Sequence, residues 1–324
     1  MKVGKISESV LKRSVLKMIK SKHINVENGA GVGSDCAIFA SESVHLAQAV
    51  QTLVLREATD IRYAIVKAVN SIAVSGAVPV SIQLSLLLPA ETDESFLQDI
   101  MRAADRTAGN LHIQITGGHT EVTDAVKRPC LSVTAAGILQ GMPVKPGGAR
   151  PGQDVVVSKW VGLEGTSILA GRYGEKLAGR YPLHMIEEAA AFDRYLSILP
   201  EAATAVKSNV SAMHDVSNGG IFAALWELAE SAGVGLAIDL KKIPVRQETV
   251  EVCEFFGISP YELLSGGCLL MTADSGDHLV QALETADIPA AVIGKITDGN
   301  DRVVINEDEK RFLGRPKSDE ITKI

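Results

Sequence analysis

Three short segments of the chain combine glycine with residues that can bind phosphate or a metal ion. The first, NGAGVGSD, carries Gly29, Gly31 and Gly33, followed by Asp35. Bare glycine N–H groups let a phosphate approach closely, and a carboxylate beside them could hold a divalent cation. The same loop could simply be a flexible entry to the strand predicted after it. A dinucleotide fingerprint is disfavoured, because it needs a strand before the glycines and a helix after them.

The second segment, TGGHTEV, contains Gly117, Gly118, His119 and Thr120 after a predicted strand at 111–115. The two glycines would admit a ligand close to the backbone, and the Thr120 hydroxyl could bond a phosphate oxygen. Paired glycines are also common where a strand leaves a sheet through a turn. Spacing alone supports the two interpretations equally.

The third segment, HDVSNGG, precedes the strongest helix predicted in the second half, 219–233, which is amphipathic. Free N–H groups at a helix start can bind an anion, and His214 and Asp215 could act as acid or base. A capped helix beside a hydrogen-bonded histidine explains the same residues. The anion-facing residues of this segment would be Asn218, Gly219 and Gly220.

Several classes of protein are disfavoured by what the sequence lacks. It has neither a P-loop nor a G-x-S-x-G nucleophile motif. The four cysteines have no metal-binding or C-x-x-C spacing, which predicts free buried thiols. A net charge of −7 without a basic stripe argues against a nucleic-acid surface. No segment approaches the roughly 20 apolar residues of a membrane span, and none has the core of a signal peptide, so we expect a cytoplasmic protein.

Apolar periodicity predicts the elements that position the first two segments. Their order, β-β-α-β-α-β-β, is typical of an α+β layer with helices on one face of a sheet. The predicted helices are 7–22, 59–76 and 92–110, and the predicted strands are 36–40, 44–50, 78–89, 111–115 and 130–139.

The stretch KPGGARPGQD, at 145–154, is dense in glycine and proline and predicts a domain joint. We therefore expect domains at 1–148 and 149–324. The second is again mixed α/β. Its predicted strands are 155–159, 234–240, 268–273, 290–296 and 302–306, with helices within 166–176 and 185–208 and at 219–233, 247–257 and 276–286.

The three segments, in this order, resemble the AIR synthase-related (PurM-like) superfamily. GSDCAIF, DIRYAIVKAVNSIAVSGAVP, TGGHTEV and HDVSNGG carry the resemblance, and the second half is most similar to hydrogenase expression/formation (HypE) proteins. The resemblance implies an N-terminal α/β domain that forms a dimeric β-barrel with its copy, and a C-terminal α/β domain. It also implies ATP held by the glycine segment, by Asp35 as a metal ligand and by the Gly117–Thr120 loop.

The HypE branch implies a maturation factor that uses ATP to dehydrate a thiocarbamoyl group on its own C-terminal cysteine, working with another hydrogenase maturation protein. This sequence departs from the family pattern at Gln51, Ser71 and His119, where aspartates are expected. Magnesium prefers several carboxylate oxygens, so its binding should be weakened. The chain also ends EITKI without a cysteine, so we expect no acceptor thiol of the usual kind.

Three functions stay open on these residues. The first is a HypE-like dehydratase or phosphotransferase with an altered metal site. The second is a nucleotide-binding relative without catalysis. The third is a kinase for a small heterocyclic alcohol, similar to thiamine-phosphate kinase.

Overall fold

The computed structural model describes residues 7–19, 23–41, 44–139 and 141–324. The described residues form two compact units. The first unit contains residues 23–29 and 35–143, and the second contains residues up to 19, residues 30–34 and residues 144–324. Within the described ranges, no helix combines the length and the apolar character needed to cross a bilayer.

The N-terminal segment of the second unit begins as a short helix, α1 (Glu8–Val10), and continues as a π-helical turn and a 3-10 turn. The helix predicted at 7–22 is therefore irregular, and its last three residues lie outside the described ranges. The segment is held by side chains from far along the chain. The Trp226 indole donates to Glu8 at 2.6 Å, and Lys12 pairs with Glu8 and Glu230. Arg302 also pairs with Glu230, at 2.8 Å.

The first unit is a six-stranded sheet with two helices on one face. Its helix α2 (Ile61–Ala73) buries Ile61, Ile65 and Ile72, as the apolar spacing predicts. The sheet order is β1-β2-β3-β6-β4-β5, and every pair is antiparallel except β4 with β5. The strands are β1 (Val26–Asn28), β2 (Ala37–Ser41), β3 (Val44–Val54), β4 (Val78–Leu88), β5 (Gln114–Val122) and β6 (Cys130–Leu139), and the second helix is α3 (Glu94–Asn110).

Strand β5 differs from the prediction. It starts three residues later than expected and runs through the glycines, so the Gly117–Thr120 loop is part of an edge strand. Gly117 and Gly118 have φ of 147° and 150°, an extended conformation that side chains disfavour. Between Ile82 and Gln83 of β4 the register shifts, because β5 carries one additional residue there, Thr116, and the strands stay paired on both sides of the shift. The turn, one of the two interpretations that the spacing left open, is wrong because glycine can stay extended where the sequence suggests a bend.

The second unit is a seven-stranded sheet in the order β13-β12-β9-β11-β7-β10-β8, with helices packed against it. Its predicted strands and helices are largely confirmed. The strands are β7 (Asp154–Ser158), β8 (Ala212–Val216), β9 (Gly235–Asp239), β10 (Cys268–Ala273), β11 (Ala290–Thr297), β12 (Arg302–Asn306) and β13 (Glu309–Phe312). The helices are α4 (Leu163–Leu177), α5 (Leu183–Ala190), α6 (Leu199–Lys207), α7 (Gly220–Ala232), α8 (Gln247–Phe256) and α9 (Gly276–Thr285).

Candidate functional site

The glycine pair of β5 is fixed by its neighbour β4. A Cβ atom built on Gly118 would lie 1.8 Å from the Leu84 carbonyl oxygen, so only glycine fits there. A Cβ on Gly117 would meet nothing within 4 Å. The exposed backbone around Gly117 is therefore the part of this segment that a ligand can approach.

His119 lies on the sheet face opposite to the helices. The register aligns it in one row with Ser85, Ser132 and Thr52 of the neighbouring strands. Its ring Nε2 is 3.2 Å from a carboxylate oxygen of Glu121, and both side chains are more than half exposed. Thr52 and Ser132 share a 2.9 Å hydrogen bond. The row offers hydroxyl and imidazole groups to solvent.

Gln51 and Ser71, two of the positions where the resemblance leads us to expect aspartates, lie on the helix-covered face. Their side chains contact each other, with the Gln51 amide donating to the Ser71 hydroxyl at 3.4 Å. Ser71 in turn donates to the Lys67 carbonyl at 3.0 Å. Successive residues of a strand point to opposite faces, so Gln51 and the row containing Thr52 and His119 are on different sides of the sheet.

This donor set does not fit magnesium. The ion needs near-octahedral oxygen coordination, normally with one or two carboxylates. Here an amide and a hydroxyl satisfy each other, and His119 faces away from both. Among the residues that the structure describes, no three histidine, cysteine or acidic side chains lie close enough to hold a metal ion.

The predicted glycine flap packs against the helix of the third segment. A Cβ on Gly33, whose φ is 71°, would lie 2.6 Å from the Glu227 carbonyl oxygen of α7. Gly31 belongs to the same unit, whereas Gly29 and Asp35 belong to the first unit. Beside Asp35, burial first and then the charge of that carboxylate raise the pKa of the Cys36 thiol to about 12, which makes this cysteine unreactive.

The two acid–base candidates lie within β8 and are buried. His214 is 2% exposed and its Nε2 is 3.1 Å from a carboxylate oxygen of Glu227. Asp215 is 5% exposed. Glu227 thus connects both sequence segments, through its side chain to His214 and through its backbone to Gly33. This arrangement favours a hydrogen-bonded core histidine over a base that is open to solvent.

The start of α7 already holds a carboxylate. Asp319, from the C-terminal segment, accepts from the N–H of Gly219 at 2.6 Å and from that of Leu264 at 3.2 Å. Gly220 is needed for packing, because a Cβ there would lie 2.5 Å from the Tyr261 carbonyl oxygen. Asn218, the third predicted residue of this element, is exposed.

A buried ion pair near β7 and β10 was missed by sequence reasoning. Lys159 and Glu201 approach to 2.5 Å with almost no exposed side chain, and the Lys159 ammonium also donates to the carbonyls of Tyr195 and Ser197. Burial raises the pKa of the nearby Cys268 thiol well above its usual range. Two charges so far apart in the sequence carry no local signal, so only the fold reveals this cluster.

Models of both AIR synthase related domains match the sequence. The model of the N-terminal domain covers residues 33–139, and that of the C-terminal domain covers residues 150–306. The chain belongs to the AIR synthase-related family. The GGHT strand and the HDVSNGG helix start therefore lie inside matched family domains.

Two relatives carry names from hydrogenase maturation. A protein of Methanocaldococcus jannaschii named for hydrogenase expression/formation is 24% identical over 99% of this chain and 97% of its own length. The carbamoyl dehydratase HypE of Rhizobium leguminosarum is 29% identical over 70% of this chain and 65% of that enzyme.

Several solved structures share the fold of this chain. A HypE–HypF complex gives a TM-score of 0.78 at 19% identity, covering 95% of this chain and 100% of that one. HypE in complex with ATP gives 0.71 at 17% identity, with coverages of 99% and 97%. A ThiL protein complexed with AMPPCP and TMP gives 0.74 at 22% identity, with coverages of 96% and 99%.

Proposed function

We propose that this protein is an ATP-binding hydrogenase maturation factor of the HypE type whose nucleotide binding does not depend on the usual family magnesium position. The observation that carries the proposal is the end-to-end similarity to the Methanocaldococcus jannaschii protein, over 99% of this chain. The ATP-bound HypE structure supports ATP as the nucleotide. Gly117 and its bare backbone supply one phosphate-facing element.

The Gln51–Ser71 pair sets the metal dependence. A neutral amide and a hydroxyl that already contact each other are weak ligands, so a divalent cation should not exchange its water ligands for them. ATP should then bind with nearly the same affinity in the presence of excess Mg²⁺ or of EDTA. Calorimetric titration of ATP under both conditions measures this directly.

A double substitution, Gln51→Asp with Ser71→Asp, should create magnesium dependence. Two adjacent carboxylates repel each other without a cation, so Mg²⁺ should raise both the melting temperature and the ATP affinity of this variant, the latter by at least about tenfold. Gln51→Asn with Ser71→Asn is the matched control, because it has nearly the same shape as the aspartate pair without its charge. If the unaltered protein binds ATP only with Mg²⁺, this part of the proposal is wrong.

The open face of the first sheet supports assembly as a homodimer around a shared β-barrel. Leu46, Ile138 and Val78 align in one row across β3, β6 and β4 and are 47%, 40% and 67% exposed. Contiguous exposed apolar side chains mark interaction surfaces, and a two-fold symmetric pair can cover identical faces.

Val78→Asp should convert the dimer into a monomer, because each copy would bury a carboxylate against the other. Val122→Asp is the matched control. It is a similarly exposed valine, 60% against 67%, and it pairs with Leu88, whose side chain is on the helix-covered face. Light scattering after gel filtration distinguishes the states. A monomeric unaltered protein, or loss of the dimer in both variants, would exclude this face.

Two finer proposals follow from the relatives. The HypE–HypF complex supports a second maturation protein as a partner of this chain. The ThiL structure with AMPPCP and TMP supports the alternative of a small-molecule kinase. ATP consumption, assayed with and without candidate acceptors, distinguishes an ATP-consuming enzyme from a protein that binds the nucleotide without turning it over.

A further inference from the structure

A groove of about 500 Å³, the β13 groove, lies in the second unit between the start of α7 and the segment that follows β13. Gly219 and Phe222 line it from α7, and residues 311–318 form the opposite wall. Its volume is within the range of binding sites in proteins. The walls combine cationic side chains with aromatic and aliphatic ones, so the groove can contact a ligand that is both charged and apolar.

The charge of the β13 groove is opposite to that of the protein. Arg311, Arg315 and Lys317 line it and are exposed, and Glu262 is the only acidic residue among its lining side chains. Across the ranges that the structure describes, none of these three cations forms an ion pair with a carboxylate. In a chain with a net charge of −7, three cations against one carboxylate form a local attraction for anions.

The positive charges are spread along an extended segment and do not converge on one point. Residues 313–317 form neither a helix nor a turn, and the stretch from Arg311 to Lys317 can span roughly 20 Å. The start of α7 adds no further attraction, because Asp319 already accepts from the Gly219 N–H group at 2.6 Å. A single small anion can contact only part of such a row, whereas a chain with carboxylates at intervals can contact all of it.

The aromatic side of the groove offers a place for an apolar side chain. Phe222 stacks on Tyr261 with ring centroids 5.3 Å apart and an angle of 15° between the planes, and the Arg311 guanidinium is 5.5 Å from the Phe222 centroid. Phe312, at the end of β13, is 73% exposed. Exposed apolar surface beside charged groups is typical of a surface that binds another protein.

Strand β13 also offers its backbone. It is the outermost strand of its sheet, its four residues are exposed, and within the described ranges it pairs with β12 alone. A peptide that leaves the groove can therefore add a strand along this edge and exchange backbone hydrogen bonds with it. A nucleic acid cannot form these bonds, and the net charge of the chain repels a polyphosphate backbone.

We propose that the β13 groove binds an extended acidic segment of another protein. Several carboxylates of that segment pair with Arg311, Arg315 and Lys317, and one apolar side chain packs between Phe222 and Phe312. The inference goes beyond the proposed function, because it assigns a docking surface for a protein segment away from the glycine strand. It holds whether or not ATP is bound or consumed.

Fluorescence anisotropy of the full chain with three peptides that carry the same label tests the inference. The peptide DELEDE should bind about tenfold more tightly than its uncharged counterpart NQLQNQ, because three exposed ion pairs each contribute a modest gain. DESEDE, which lacks the apolar side chain, should bind about fivefold more weakly than DELEDE. Raising the ionic strength from about 0.01 to 0.15 M should weaken DELEDE binding, since the range of charge interactions falls from roughly 30 to 8 Å.

Charge reversal locates the binding surface. Arg315→Glu and Lys317→Glu should each weaken DELEDE binding by about fivefold or more, because an attraction is replaced by a repulsion. The matched control is Lys207→Glu, the same change at an exposed lysine of α6 outside the groove lining, which should leave the affinity unchanged. All three positions are exposed, so these variants should fold.

Four results would overturn the inference. One is equal affinity for DELEDE and NQLQNQ, and another is an equal effect of Lys207→Glu and Arg315→Glu. The third is displacement of DELEDE by single-stranded oligothymidylate, or by inorganic phosphate beyond the effect of sodium chloride at equal ionic strength. The fourth is a changed oligomeric state of Arg315→Glu in gel filtration, which would make a second copy of the chain the occupant.

ATP titration of the same samples separates this inference from the proposed function. Binding of DELEDE by a chain that does not bind ATP would refute the proposed function and leave the inference standing. ATP binding with no binding of DELEDE would do the reverse.

Discussion

Replacing Gly118 with alanine should destabilise the first unit much more than replacing its neighbour Gly117. Both glycines have φ near 150°, where a side chain costs about 1–3 kcal/mol. At Gly117 this strain is the whole cost, because the added Cβ would have open space.

At Gly118 the added carbon also meets the backbone of the adjacent strand. Its distance to the Leu84 carbonyl oxygen would be 1.8 Å, and real Cβ contacts are essentially never shorter than 3.0 Å. Strands β4 and β5 would have to separate by more than about 1 Å, which breaks the hydrogen bonds at that point. Two or three lost bonds at about 1 kcal/mol each bring the expected cost to about 3–6 kcal/mol.

Scanning calorimetry on Gly117→Ala and Gly118→Ala measures the difference. A domain of about 100 residues loses roughly 4–8 °C per kcal/mol, so the transition of the first unit should fall at least about 8 °C further in Gly118→Ala. Transitions within about 2 °C of each other would refute the reasoning, because they would mean that β5 relaxes freely at its exposed edge. ATP affinity measured on both folded variants shows whether the glycine backbone is also a binding element.

Two further perturbations test the second unit. Lys159→Met should lower the free energy of unfolding by about 3–5 kcal/mol, because it leaves the Glu201 carboxylate buried without its cation. Adding Glu201→Leu should recover most of that loss, as measured by thermal melting. Additive losses in the double variant would contradict this. Hydrogen bonding from Lys12 is the main cause of a lowered pKa of Glu230. The stability that this group contributes is present above about pH 4.5 and is lost as the pH falls through the lowered pKa. Trp226 fluorescence, measured in a variant with no other tryptophan, should report that the N-terminal segment undocks below about pH 4.5. In Glu230→Gln the docking should no longer depend on pH in this range. If the acid transition is unchanged in Glu230→Gln, another group causes it.

The sequence predicts best those elements whose apolar spacing indicates which side chains are buried. Helix α2 was expected at 59–76 and is observed at Ile61–Ala73, because its apolar residues repeat with helical spacing and most of them are buried. Strands β7 and β10 were predicted closely for a related reason, since continuous runs of apolar residues are typical of fully buried strands.

Glycine segments were predicted less well, because glycine has no side chain to indicate a face. The Gly117–Gly118 pair reads as a turn until its partner strand β4 is known. Gly33 is typical of a mobile loop until Glu227 is found against it, and the start of α7 is typical of an anion site until Asp319 fills it. In each case a residue that is distant in the sequence determines the local structure, and the local sequence pattern does not include that residue.

The attachment of the N-terminal segment also constrains the order in which the protein can fold. Glu8 and Trp226, which share a hydrogen bond, are 218 residues apart in the chain. At about 5–20 residues added per second, a ribosome needs roughly 10–40 s to make the helix that receives Glu8 and Lys12. During that time the first sheet can complete its strands, while these two residues have no binding surface. The segment that carries Glu8 and Lys12 is therefore synthesised long before the helix that holds it, and it reaches its final position late.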